Sequence, residues 1–279
     1  MRLGASSWSS DGWAGPFYPE GTPPAEFLEI YASRYDTVEV DTTFYRIPAP
    51  RLVDGWRART PEGFVFAAKV PRSVTHEKGL VGCEDEMAEF LGVMRRLGDR
   101  LGPLLLQFPY VAKRADAREY ETGDSLRARL GPFLAALPGD LRYVVEIRNE
   151  KWIAPPLLDL LRGRGIALAL VDYFTMPPIG KLLSLCDPVT ADFLYVRFLG
   201  DHKRMDRLVA DEEARNGTKP WSRIVVDRGP AMRAWAAALR SLSARVGNSF
   251  VFVNNHYAGY APGSIDLLRA LLTSDGAPA

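Results

Sequence analysis

Short apolar runs recur along the chain, and a polar residue stands at the downstream end of each. The runs are RLGASSW, TVEVDTTFY, FVFAAK, LGPLLLQF, LRYVVEIRN, IALALVD, FLYVRF and SFVFVNN. They end in, or just past, Ser6–Ser7, Glu39–Asp41, Lys69, Gln107, Glu146–Arg148, Asp172, Arg197 and Asn254–Asn255. Each run has the length of a strand. Between most of them, apolar residues fall at helical spacing: Phe27, Leu28 and Tyr31; Met87, Phe90, Leu91, Met94 and Leu97; Trp235, Ala238, Leu239 and Leu242. Strands alternating with helices predict an α/β fold, a single (β/α)8 TIM-like barrel spanning residues 1–279. In that architecture the strand C-termini meet at one mouth, so the eight polar ends are expected to line a single site.

Two segments interrupt the alternation. WSSDGWAGPFYPEGTPP, after the first strand, is punctuated by Gly and Pro and reads as a long loop over the mouth. GDHKRMDRLVADEEARNGTKPWSRIVVD, after the seventh, is mixed in charge and poorly periodic. It reads as an extended loop, with room for one short helix.

Composition narrows the function classes. The chain is 47% hydrophobic and 25% charged, as in ordinary soluble domains, and its net charge is +1. A general nucleic-acid binder usually carries a strong basic excess, so a nucleic-acid partner is not expected. Cys83 and Cys186 belong to no shared motif, and the N-terminus lacks signal-peptide features. No apolar stretch approaches the ~18 residues needed to span a bilayer. The expectation is a reduced, cytoplasmic protein with no membrane partner.

Glu146 is the leading candidate for general acid or base, because its strand is otherwise apolar. Lys69, Glu39 and Asp172 are the other candidate catalytic residues, with Lys69 suited to binding an anion or stabilising an oxyanion. Structural alternatives stand beside each. Lys69 can pair with Glu39 or Glu146, and Glu146 with Arg148. Arg148 and Arg197 are expected to clamp negative groups, and Gln107, Asn254 and Asn255 to orient hydroxyls. Tyr45, His76 and Trp152, in neighbouring loops, complete the expected substrate-binding set. Trp8, Trp13, Phe17, Tyr18, Phe44 and Tyr257 lie in the same loops, and packing is the better reading for most of these aromatics.

GxSxG, Walker A, HExxH, CxxC and GxGxxG are all absent, so no organic cofactor is predicted. There are three histidines, His76, His202 and His256, fewer than a His-rich metal site needs. A Mg²⁺ or Mn²⁺ site through Glu39, Glu146 and Asp172 stays open as an alternative.

The series GASSWSSDGWAGPFYP, VEVDTTFYR, FAAKVPRSVTHEKGL, LLLQFP, VVEIRNEKW, LVD, YVRF and VFVNNHYAGYAP resembles the DUF72 (YecE-like) family, in order over nearly the whole chain. The resemblance implies a TIM-barrel-like fold and little about activity. The family's strand-7 Arg is often followed by His-Gly, where this chain has Leu199 in the His position. Its strand-5 motif often has His and Ser before Trp, where this chain has Asn149 and Lys151.

The functional expectation is an enzyme (hydrolase, lyase or isomerase) acting on a small polar or anionic substrate by acid/base chemistry at the mouth. A sugar, sugar phosphate or nucleotide-derived compound would suit those residues. The alternatives are a non-catalytic small-ligand protein using the same pocket, and a nucleic-acid processing enzyme using Arg114, Arg118, Arg127, Arg129 and the HKRMDR segment.

Overall fold

Strands covered on both faces must be apolar on both, which is why these runs are near-continuous rather than alternating. The computed structural model describes residues 1–112 and 122–274. Its strands are β1 (Arg2–Ala5), β2 (Thr37–Val40), β3 (Val65–Lys69), β4 (Leu101–Gln107), β5 (Tyr143–Glu146), β6 (Ala167–Tyr173), β7 (Phe193–Gly200) and β8 (Asn248–Val253). All paired neighbours are parallel, in the order β1-β8-β7-β6-β5-β4-β3-β2. Helices α1 (Phe27–Ala32), α2 (Pro50–Ala58), α3 (Glu84–Met94), α4 (Gly123–Ala136), α5 (Pro155–Arg162), α6 (Ile179–Leu185), α7 (His202–Asn216), α8 (Gly229–Ser243) and α9 (Ala261–Thr273) accompany them. The result is a nearly closed TIM-barrel-like α/β fold, as the sequence pattern predicts.

The seam between β1 and β2 closes without a ladder. The Tyr31 hydroxyl of α1 accepts from the Ala5 amide at 2.7 Å and donates to the Thr37 carbonyl at 3.0 Å. Gly4 permits the close approach, because a Cβ there would lie 2.2 Å from the Thr37 oxygen. In β4, Gly102 and Pro103 fall where the register to β3 shifts, between Phe66 and Ala68. Pro cannot donate to a ladder, so a bulge is where a strand tolerates it.

Side-chain parity separates two cores. Ala67, Leu105, Val144, Ala167, Ala169, Phe193, Tyr195, Phe250 and Phe252 fill the barrel interior. The alternate positions, such as Val38, Leu104, Leu168, Val196 and Phe198, join the helices in the larger cluster outside. Two residues further along the interior parity come Lys69, Gln107, Glu146, Arg197 and Asn254. The fold therefore delivers these side chains to one end of the barrel.

Two elements differ from the sequence reading. The segment after β7, expected as an extended loop, forms the 15-residue helix α7. Its start is capped by the Asp201 carboxylate, which accepts from the Arg204 amide at 3.1 Å, and it ends at Gly217 in the left-handed region. Only Met205 of α7 is buried, so the apolar stripe that normally reveals a helix is missing. Helix α6 lies in IGKLLSL, between β6 and β7, where it buries only Ile179 and Leu182. Its pattern is too short to register as periodic.

Candidate functional site

The polar strand ends form two tiers. In the lower tier, Arg197 of β7 is 2% exposed, and Glu39 of β2 and Glu146 of β5 are both 0% exposed. Arg197 grips Glu39 with two nitrogens, Nε to Oε2 at 2.8 Å and Nη2 to Oε1 at 2.6 Å. Its third nitrogen, Nη1, donates to Glu146 Oε2 at 2.5 Å. The Tyr195 hydroxyl donates to Glu39 Oε2 at 2.6 Å, and Arg148 Nε donates to Glu146 Oε1 at 2.7 Å. Every carboxylate oxygen here has a charged partner.

The electrostatics follow. Burial alone pushes the Glu146 carboxyl up, but the Arg197 and Arg148 charges outweigh it and hold it at about 2. Burial alone would lower the Arg197 pKa, and the two carboxylates instead raise it further. The Tyr195 hydroxyl is pushed up by burial and by the adjacent Glu39 charge.

This geometry argues against Glu39 and Glu146 as proton-transfer groups. A general base works best with a pKa near the operating pH and a free oxygen. Glu146 has neither. Both glutamates act as anchors for guanidinium groups.

The upper tier is a rim around a cavity of about 440 Å³. Lys69, Arg72, Arg148 and Arg197 line it, with His76, His202, Gln107, Asp41, Phe44 and Tyr45. Lys69 Nζ pairs with Asp41 Oδ1 at 2.8 Å and lies 4.1 Å from the centroid of the Phe44 ring. The expected partners Glu39 and Glu146 are already taken by Arg197. Arg72 pairs with Glu77, and Arg148 lies over the Tyr173 ring at 4.7 Å. The Gln107 amide donates to the Phe108 carbonyl.

His76 sits on a one-turn π-helix (Ser73–Glu77) after β3, its Nδ1 2.8 Å from the Thr75 hydroxyl. Burial, then Lys69, Arg148 and Arg72, lower its pKa to about 4. Glu146 opposes them and loses, so the field at His76 is cationic. His202, at the start of α7, is lowered to about 4 by burial and by the nearby His256 and Arg148. Its Nε2 is buried with no hydrogen-bond partner among the described residues. Both imidazoles are neutral at pH 7.

Asp41, Tyr45 and Asn254 also line a second, larger cavity of about 860 Å³, so the two adjoin as a small and a large lobe at the barrel mouth. Ser6, Ser7, Ser9 and Ser10 from the β1 loop wall the large lobe on one side. Glu213 of α7 and Lys219 and Trp221 beyond it wall the other. Tyr45 is 67% exposed at the boundary.

Several expected site residues are placed elsewhere or otherwise engaged. Asp172 lies on the outward parity of β6, next to Val171, which takes the inward one. Its carboxylate accepts from the Tyr257 hydroxyl at 3.3 Å and bonds Trp235 of α8, and burial raises its pKa. It lines neither lobe. Trp152 packs against Gly123 at the start of α4, outside the cleft. Asn255 lines the large lobe, but its amide is committed: Oδ1 accepts from Trp13 Nε1 and the Ala261 amide, and Nδ2 donates to Ser10. Asn254 Oδ1 accepts from the His256 amide at 2.9 Å and lies 3.0 Å from His256 Nδ1. Trp13, Phe17 and Tyr18 are packed in the core, as expected.

The structure does not assemble the metal site considered from sequence. Arg197 occupies the space between Glu39 and Glu146, and Asp172 points away. Among the described residues no cluster of His, Cys, Asp or Glu has the arrangement of a metal site. Of the basic residues considered for nucleic acid, Arg127 pairs with Asp124 and Arg129 donates to the Gly79 carbonyl. Arg114 and Arg118 lie outside the described residues. Among those described, no helix is long and apolar enough to cross a membrane.

Arg72, His202, Ser9 and Ser10 carry no strand-end signal, since each lies beyond its strand, whereas Ser6 and Ser7 close the first run. His202 could have been suspected from its place just after Arg197 and Leu199. Leu199 itself lines the rim.

Comparison with known proteins agrees with this architecture. UPF0759 protein YecE of Escherichia coli is 34% identical over 139 residues, covering 50% of this chain and 47% of that protein. That match spans about half the relative's length. UPF0759 protein YunF of Bacillus subtilis is 25% identical over 276 residues, covering 94% and 90%. The crystal structure of a DUF72 family protein from Thermotoga maritima is 25% identical with a TM-score of 0.71, covering 97% of this chain and 98% of that one. One from Enterococcus faecalis, 22% identical, superposes with a TM-score of 0.72 over 99% and 96%. The family model "Protein of unknown function DUF72" matches residues 2–278, and the chain belongs to that family.

Proposed function

We propose that the barrel mouth binds a small anionic substrate, with Lys69, Arg72 and Arg148 as the anion-binding groups and His76 as the proton-transfer group. The cationic field at His76 carries this reading. Burial is the largest cause of its lowered pKa, Lys69, Arg148 and Arg72 lower it further, and Glu146 fails to compensate. A neutral imidazole among fixed cations is suited to accept a proton from a bound anionic ligand, whose charge then stabilises the imidazolium. Glu39 and Glu146 hold Arg197 and Arg148 rigid, so the donors meet the ligand already oriented. The chemistry this supports is acid/base catalysis of hydrolase, lyase or isomerase type.

A second reading is binding without turnover. Its supporting observation is that both buried glutamates are saturated by guanidinium groups, which removes the two strand-end carboxylates as proton carriers.

A thermal-shift screen with inorganic phosphate, carboxylates and phosphate monoesters tests the common core. A ligand at 100 times its Kd adds about 2.7 kcal/mol of stability. The stabilisation is expected to vanish in Lys69→Met and Arg148→Met. An equal shift in both variants would place the anion elsewhere. For any ligand that binds, product formation abolished by His76→Ala supports the enzyme. Binding with no product supports the second reading.

A further inference from the structure

The two lobes differ in chemistry. Cations surround the small lobe. The large lobe instead presents hydroxyls and the carboxylate of Glu213, with Lys219 the one Lys or Arg lining it among the described residues and Asp41 shared between the two lobes. One hydroxyl is orphaned: Ser6, 5% exposed at the end of β1, has an Oγ with no hydrogen-bond partner among the described residues. A buried hydroxyl without a partner costs stability that a ligand can restore. Trp221 adds an aromatic face, its ring 5.0 Å from that of His256.

Building on the anion-binding reading, we propose that the ligand is a phosphorylated sugar lying across both lobes. Its phosphate sits among Lys69, Arg72 and Arg148, and its hydroxyl-bearing part extends past Asp41 and Tyr45 to Ser6 and Trp221. Charge sets the orientation. Glu213, which lines only the large lobe, repels a phosphate there and accepts hydrogen bonds from sugar hydroxyls, while Asp41 between the lobes is already paired with Lys69. The cations attract the phosphate into the small lobe. An aromatic ring beside convergent polar groups suits the apolar face and polar edge of a sugar ring. Each lobe alone has the volume of a small-ligand site, so a phosphate ion by itself leaves the larger one unused.

Isothermal titration calorimetry with inorganic phosphate, glucose, and a set of pentose and hexose phosphates tests this. At least one sugar phosphate is expected to bind roughly tenfold or more tightly than inorganic phosphate. Ser6→Ala and Trp221→Ala are expected to remove much of that gain, and Lys69→Met to weaken both ligands. Ser6→Ala deletes only an unpartnered hydroxyl, so a correctly folded variant is expected and circular dichroism checks it. If every sugar phosphate binds no tighter than inorganic phosphate, or if the gain survives both large-lobe variants, the two-lobe assignment is overturned while the anion site stands. If inorganic phosphate and the sugar phosphates all fail to bind the wild type, the anion reading falls with it.

Discussion

The two tiers of charge at the barrel mouth contain similar residues and do different work. In the lower tier, Glu39, Tyr195, Arg197 and Glu146 are buried and satisfy one another, with Arg197 also reaching the wall of the small cavity. In the rim, Lys69, Arg72, Arg148, His76 and His202 face a cavity. Arg148 joins the two, with Nε on Glu146 and its remaining edge towards the rim. Ionisable groups mark both tiers, so the presence of a charge does not distinguish a site from its scaffold. What distinguishes them is whether donors and acceptors remain free for a ligand.

The largest expected effect falls in the lower tier. Arg197→Met leaves Glu39 and Glu146 buried against each other, and removing one partner of such a network typically costs about 3–5 kcal/mol. Urea unfolding measures it, and a loss below about 1 kcal/mol would erase the distinction between tiers. Tyr195→Phe removes one donor to Glu39 while the Arg197 bonds remain, so about 1–2 kcal/mol is expected by the same assay.

Rim variants reverse the proportions. Lys69→Met leaves Asp41 about one-third exposed, able to rehydrate, so the stability cost is roughly 1–2 kcal/mol. Affinity for an anionic ligand, read by calorimetry, is expected to fall about tenfold or more. A variant that lost stability as Arg197→Met does and kept its ligand would assign Lys69 to the scaffold.

Acid sharpens the contrast. Glu146 has a folded pKa of about 2 against an ordinary 4.5, so its contribution is present above pH 4.5 and is lost as the pH falls towards 2. His76 and His202 have folded values of about 4 against 6.5. The unfolded chain binds their protons first, so stability also declines as the pH falls from 6.5 to 4. Unfolding free energy measured against pH should therefore decline in two windows, rim first. His76→Ala is expected to shrink the upper window, with the His202 share remaining, and to leave the lower one in place.

The smallest effect is expected at Asp172. Its carboxylate faces Tyr257 and Trp235, so Asp172→Asn should keep ligand affinity within about twofold. A large loss would return Asp172 to the site.

That residue also shows where the sequence is legible. The eight runs announce the barrel, because buried parallel strands are apolar on both faces. Lys69, Gln107, Glu146, Arg197 and Asn254 were legible as strand ends because each continues an inward parity. Asp172 shares the strand-end position and has the wrong parity; in IALALVD the small inward residues Ala167 and Ala169 lead to Val171. The lower tier was not legible as a saturated network, since pairing depends on which strands face one another across the barrel. Glu39 and Arg197 are 158 positions apart. Helix α7 escaped because it buries one residue, and Arg72 and His202 because they sit on segments with no period of their own.

The central claim is that the rim holds an anion beside a neutral His76. The most direct measurement is the titration of the His76 ring by NMR, with and without saturating phosphate. The account predicts a pKa of about 4 without ligand, rising when phosphate binds; in Lys69→Met the ligand-free value should already lie higher, and phosphate should move it less. A His76 that titrates at its ordinary value near 6.5, or one that phosphate leaves unmoved, would contradict it.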